Sequence, residues 1–189
     1  MRGHDLFRLT AIYAAVLCYC TILLGGTVMA SGVGLSCPHW PTCYGNTNFL
    51  PSLVGGAAIE WGHRVSAFVL SVTVLILTIL GLVYERHRPV LLRLSLLSLA
   101  LVVAEALLGA EVVASGLGVV LVLAHLAIAT GLFGLLLVLV LLSNLRDMPR
   151  RWIEWARRAS EETPSTSPDS DAAPTPSYDR VPFGEPRKT

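Results

Sequence analysis

Ile59-Glu60-Trp61-Gly62-His63-Arg64 runs directly into Val65-Ser66-Ala67-Phe68-Val69-Leu70-Ser71-Val72-Thr73-Val74-Leu75-Ile76-Leu77-Thr78-Ile79-Leu80-Gly81-Leu82-Val83-Tyr84. The second stretch carries no charge and no apolar–polar alternation, and it is long enough to cross a bilayer. About 20 residues rising ~1.5 Å each span the ~30 Å hydrocarbon core. A segment that must satisfy its own backbone in lipid is a helix. The first stretch brings a carboxylate, an imidazole and a guanidinium to the mouth of that helix. Ionisable groups at such a depth are costly, which marks them as functional candidates.

Three more runs of the same kind lie at roughly residues 9–29, 94–110 and 119–142, the second of them interrupted by Glu105. With 53% apolar and 14% charged residues and a mean hydropathy of +0.64, the chain is not an ordinary soluble domain. The expected fold is all-α, a polytopic membrane four-helix bundle at 9–145. It is preceded by a short N-terminal segment at 1–8 and followed by a Trp/Arg-rich interfacial segment at 146–159. Residues 160–189 are rich in Pro, Ser, Thr, Asp and Glu and have too little apolar surface to offset ordering entropy, so a disordered tail without chemistry is expected.

Arginine placement orients the bundle. Arg2 and Arg8 precede helix 1, Arg86, Arg88 and Arg93 lie between helices 2 and 3, and Arg146, Arg150, Arg151, Arg157 and Arg158 follow helix 4. The loops at about 30–60 and 111–118 carry no Lys or Arg. By the positive-inside rule both termini are cytoplasmic in a cell-membrane protein, and the 30–60 loop faces outward. A cleaved signal peptide is the alternative reading of helix 1, but its apolar run exceeds the usual 7–15 residues. Membrane lipid is the surrounding partner; no nucleic-acid partner is expected.

An internal repeat relates the two hairpins. Gly25-Gly26-Thr27-Val28-Met29-Ala30-Ser31-Gly32-Val33-Gly34 aligns with Gly109-Ala110-Glu111-Val112-Val113-Ala114-Ser115-Gly116-Leu117-Gly118. Each copy ends an odd-numbered helix and precedes a helix with one histidine, His63 or His125. Small residues at helix ends also recur in membrane proteins simply because they permit close packing.

His63 is expected about three residues inside helix 2 and His125 about six inside helix 4, both helices running in the same direction. Two imidazoles at matched depth in one bundle can take opposite faces of a haem iron. The alternative is that each bonds a neighbouring helix. Two histidines are too few for a structural zinc site. Glu60 shares a helical face with His63; it is either a proton-handling acid or an interfacial partner of Arg64. Arg64 could also meet a haem propionate. Glu105 is expected to face the bundle interior, on a proton path or at a haem edge.

Cys37 and Cys43, in Cys37-Pro38-His39-Trp40-Pro41-Thr42-Cys43, have five residues between them on the oxidising side. A disulfide is expected, with a redox-active dithiol as the other reading. Cys18 and Cys20 read as inert small residues in helix 1, and His4, His39 and His87 are given no ligand role.

The cysteine loop followed by Glu60-Trp61-Gly62-His63-Arg64, with Ala124-His125-Leu126 and Leu108-Gly109…Ser115-Gly116-Leu117, resembles the haem A synthase family over about residues 8–143. The resemblance implies an enzyme that oxidises the C8 methyl of haem O to the formyl of haem A for terminal oxidases. It implies haem ligation by His63 and His125, catalysis involving Glu60, and a disulfide or redox pair at Cys37 and Cys43. Typical members have eight helices in two halves with four histidines, one half for substrate haem O and one for a cofactor haem B. This chain carries one half and one histidine pair, so a homo-oligomer is expected, with haem O synthase and oxidase assembly proteins as partners. Two other functions fit parts of the pattern: a non-catalytic b-type haem-binding protein or oxidase assembly factor, and a membrane thiol–quinone oxidoreductase.

Overall fold

The computed structural model describes residues 3–45, 54–145, 154–155 and 157–158, and among these residues every regular element is a helix. Four helices follow in order: α1 Gly3–Ala30, α2 Gly56–Tyr84, α3 Pro89–Ala114 and α4 Val119–Asn144. All four are long and apolar enough to cross a membrane. The chain divides into a unit at 1–149, which contains the bundle, and a second unit at 150–189. In the second unit, residues 154, 155, 157 and 158 are helical and exposed. The rest of the interfacial segment and the tail lie outside the described residues.

The helices outrun their apolar stretches. α2 starts nine residues before residue 65, α1 six before residue 9 and α3 five before residue 94. At ~1.5 Å per residue α2 is about 43 Å long against a hydrocarbon core of ~30 Å. Its first two turns, with Glu60 and Arg64, therefore reach the headgroup level. His63 is the eighth residue of α2 and His125 the seventh of α4, so their depths match more closely than the sequence suggests.

Packing follows a ring. α1 lies against α2 and α4, and α3 against α2 and α4, which places α2 and α4 on a diagonal. Lipid is as apolar as leucine, so helices associate through close van der Waals contact and interhelical hydrogen bonds rather than hydrophobic burial. Small side chains serve that contact: Ala11, Ala14, Ala15 and Cys18 of α1 and Ser95 and Ser98 of α3 are buried. Phe7, Leu77, Leu91, Leu132, Leu136 and Leu139 fill the space between them and are at most 1% exposed. The Thr78 hydroxyl of α2 donates to the Ser95 carbonyl of α3 at 3.1 Å.

The end opposite the cysteine loop is fastened by polar contacts. His4 of α1 lies 2.6 Å from the buried Glu85 carboxylate just past α2. Arg88, which caps α3, donates to the Leu142 carbonyl of α4 at 3.0 Å. Toward the loop end the packing loosens: none of residues 61–69 of α2 or 119–131 of α4 is fully buried. The two histidines lie in this looser half.

Candidate functional site

Each imidazole faces an oxygen on the other helix of its own hairpin, and that of His63 is hydrogen-bonded to it. His63 donates from Nδ1 to the Thr21 carbonyl of α1 at 3.1 Å; the carbonyl can only accept, which fixes the proton on Nδ1. Thr21 also shares a hydrogen bond with Ser66 of α2 at 2.7 Å and is itself buried. His125 Nδ1 lies 2.9 Å from Glu105 Oε2 of α3, with Glu105 only 9% exposed. The pair is at hydrogen-bond distance but off-line, and His125 Nδ1 and Glu105 Oε1 are buried without a hydrogen-bond partner. Glu105 does face the interior, and its partner is a histidine that spacing alone did not reveal.

A glycine lies against each ring, and at Gly25 a side chain would crowd it. A Cβ at Gly25 would sit 3.0 Å from His63 Cε1, and one at Gly109 3.4 Å from His125 Cε1. Gly25 follows Thr21 by four residues, as Gly109 follows Glu105. Each odd-numbered helix thus offers one turn with an oxygen for Nδ1 and a bare backbone under the ring. Gly25→Ala is expected to push the His63 ring by a few tenths of an ångström and weaken Soret-monitored haem retention several-fold, while Gly26→Ala, where a Cβ meets nothing within 4 Å, leaves it unchanged.

The residues fit a haem with two axial histidines. They stand at matched depth on diagonal helices, their Nδ1 atoms are occupied or faced by oxygen, and Nε2 is the nitrogen left for iron. Metal-bound histidine commonly carries such a partner on its other nitrogen. Among the described residues no group of three or more His, Cys, Asp or Glu could hold a metal ion, so a bare-ion site of that kind is not formed there.

Glu60 and Arg64 are built into the loop. Glu60 is 3% exposed and accepts from the Cys37 N–H through Oε2 at 2.8 Å and from Arg64 Nη2 through Oε1 at 2.5 Å. Arg64 Nη2 also donates to the Cys37 carbonyl at 2.7 Å, and Nη1 to the carbonyls of His39 at 2.5 Å and Thr42 at 3.2 Å. Cys37 and Cys43 form a disulfide with an S–S distance of 1.99 Å, and both are fully buried. One guanidinium therefore gathers three carbonyls of the loop and a carboxylate one turn from His63. The sequence already offered the pairing of Arg64 with Glu60; the contacts of Arg64 with the loop carbonyls were not foreseen.

Residues 54–163 match the family model COX15-CtaA, described as cytochrome oxidase assembly protein. Among curated proteins, the chain is similar to a heme A synthase of Geobacillus thermodenitrificans, 34% identical over 147 residues, which are 78% of this chain and 45% of the relative. It is similar to those of Geobacillus kaustophilus, 32% identical over 78% of this chain and 46% of the relative, and Bacillus pumilus, 31% identical over 71% and 44%. The chain spans about half the length of the curated relatives it matches. A membrane bundle whose loop end gathers a histidine pair, a disulfide loop and a buried Glu–Arg clamp thus meets a family match over more than half of its length: the chain belongs to the COX15-CtaA family of cytochrome oxidase assembly proteins.

Proposed function

We propose that the protein is a haem A synthase-like membrane oxidoreductase that converts the C8 methyl of haem O to the formyl of haem A. The observation that carries this reading is the pairing of His63 and His125 across the bundle diagonal, each with Nδ1 facing an oxygen. His63 and His125 would hold the substrate haem by Nε2, and bound haem supplies the iron-centred redox chemistry. Glu60 provides a buried carboxyl one turn from His63 that would take up or hand on the proton. The disulfide loop, pinned by Arg64, limits water at this end of the bundle. Two hydroxylations at one carbon, each placing one atom of O2 on the carbon and releasing the other as water with two electrons and two protons, give a geminal diol, and loss of water leaves the aldehyde. Electrons come from a donor outside this chain.

The arginines near the opposite end support cytoplasmic termini and an outward loop. Self-association, with a second copy supplying a haem B site, is part of the proposal. Oxidase assembly proteins and haem O synthase are the proposed partners. One observation favours a second reading, a non-catalytic haem-binding assembly factor: both Glu60 oxygens are already engaged with Cys37 and Arg64.

The test is production of the chain in cells that make haem O but lack haem A, followed by chromatography of extracted haem. Haem A is the expected result. Haem O and haem B unchanged in amount, with the protein well expressed and haem-loaded, would leave the assembly-factor reading in its place.

A further inference from the structure

The two histidines share a depth and a glycine cradle but not an environment. Behind His63 stands a neutral backbone carbonyl, that of Thr21, at 3.1 Å. Behind His125 stands a carboxylate, Glu105 Oε2, at 2.9 Å. Thr21 and Glu105 occupy the same place relative to Gly25 and Gly109, so the difference falls at one position of otherwise similar sockets. A carboxylate facing the N–H of an imidazole raises the donor strength of its other nitrogen more than a carbonyl does, because the hydrogen bond is charge-assisted.

We infer that Glu105 is a positioning residue that makes His125 the stronger and more tightly held axial ligand, with His63 the weaker, displaceable one. The inference rests on the haem-binding reading above. Two further observations support it. Glu105 is nearly buried, and burial in an apolar bundle without a function is costly. Glu105 Oε1 and His125 Nδ1 are both buried without a hydrogen-bond partner, although 2.9 Å separates Nδ1 from the nearer carboxylate oxygen. A modest turn of the ring about its Cβ–Cγ bond would align that contact, so the pair is set to lock when Nε2 is fixed from the other side. His63 has no such reserve, since its Nδ1 bond to Thr21 is already made. The consequence is a sided site: exchangeable ligands enter on the His63 face, which is also the face of Glu60 and the disulfide loop.

The test uses the full chain in detergent, titrated with haem B and followed by the Soret band and by the midpoint potential. Glu105→Gln keeps the shape of the side chain and removes the charge. It is expected to weaken haem B binding by about 10–100-fold and to raise the midpoint potential, because the ferric state loses donor strength. His63→Ala is expected to keep haem B bound and to bind carbon monoxide faster than wild type. His125→Ala is expected to bind haem B at least tenfold more weakly than His63→Ala, with recovery on added imidazole. An unchanged potential in Glu105→Gln, or a larger loss from His63→Ala than from His125→Ala, overturns the inference while leaving a haem protein. If neither histidine variant alters haem B binding, the haem-site reading itself fails. The potential of Glu105→Gln decides the matter even where His125→Ala does not fold.

Discussion

Arg64→Met is expected to cost about 3–5 kcal/mol of stability, the range for removing one partner of a buried ion pair. The size follows from what is left behind. Glu60 is 3% exposed and would retain only the Cys37 N–H. The carbonyls of Cys37, His39 and Thr42 would each lose a charged donor. Methionine keeps much of the arginine stem volume, so the loss comes from charge and hydrogen bonding rather than from a cavity. Thermal unfolding of the detergent-solubilised protein measures it, and limited proteolysis should cut the 37–43 loop first. The double variant Arg64→Met with Glu60→Gln should recover part of the loss, because the stranded carboxylate is gone. A single variant as stable as wild type would mean that the clamp is only a surface pair, worth about 0–1 kcal/mol.

His63→Ala is expected to abolish haem A formation while the protein is made at normal levels and still binds haem through His125. A substrate held from one side only is free to tilt, and small displacements from a productive geometry cost orders of magnitude in rate. Extracted-haem chromatography should then show haem O with haem A below one-hundredth of the wild-type amount. Wild-type haem A from this variant would sink the assignment of the site.

The bundle itself was legible because its signal is bulk composition: four apolar stretches of membrane length, only one of them interrupted by an acid, admit few other folds. The helix starts were less so. Glu60 and Arg64 already read as the helical mouth of helix 2, but α2 begins earlier, at Gly56, where the disulfide loop folds back on its first turns, and no hydropathy window registers a partner that is remote in sequence. Likewise, His4 extends α1 by meeting Glu85, which lies 81 residues away. The disulfide followed from cysteine spacing and compartment. The contact between Glu105 and His125 did not follow, since it depends on how α3 and α4 are rotated about their axes. Helices apolar on every side carry little amphipathic phase from which to read that rotation. The matched depth of His63 and His125 was accessible for the opposite reason: rise along a helix is fixed at ~1.5 Å per residue, whatever its rotation.

In each hairpin, the residue facing the imidazole and the glycine beside it come from the helix immediately preceding the one that carries the histidine. Thr21 and Gly25 travel with His63, and Glu105 and Gly109 travel with His125. A break in the short turn between Tyr84 and Pro89 would therefore part the molecule into two pieces, each keeping a histidine together with its support. The hairpin is the smallest unit by which such a site can be cut, copied or recombined without dismantling either half, and a chain of two hairpins is the shortest that closes the pair.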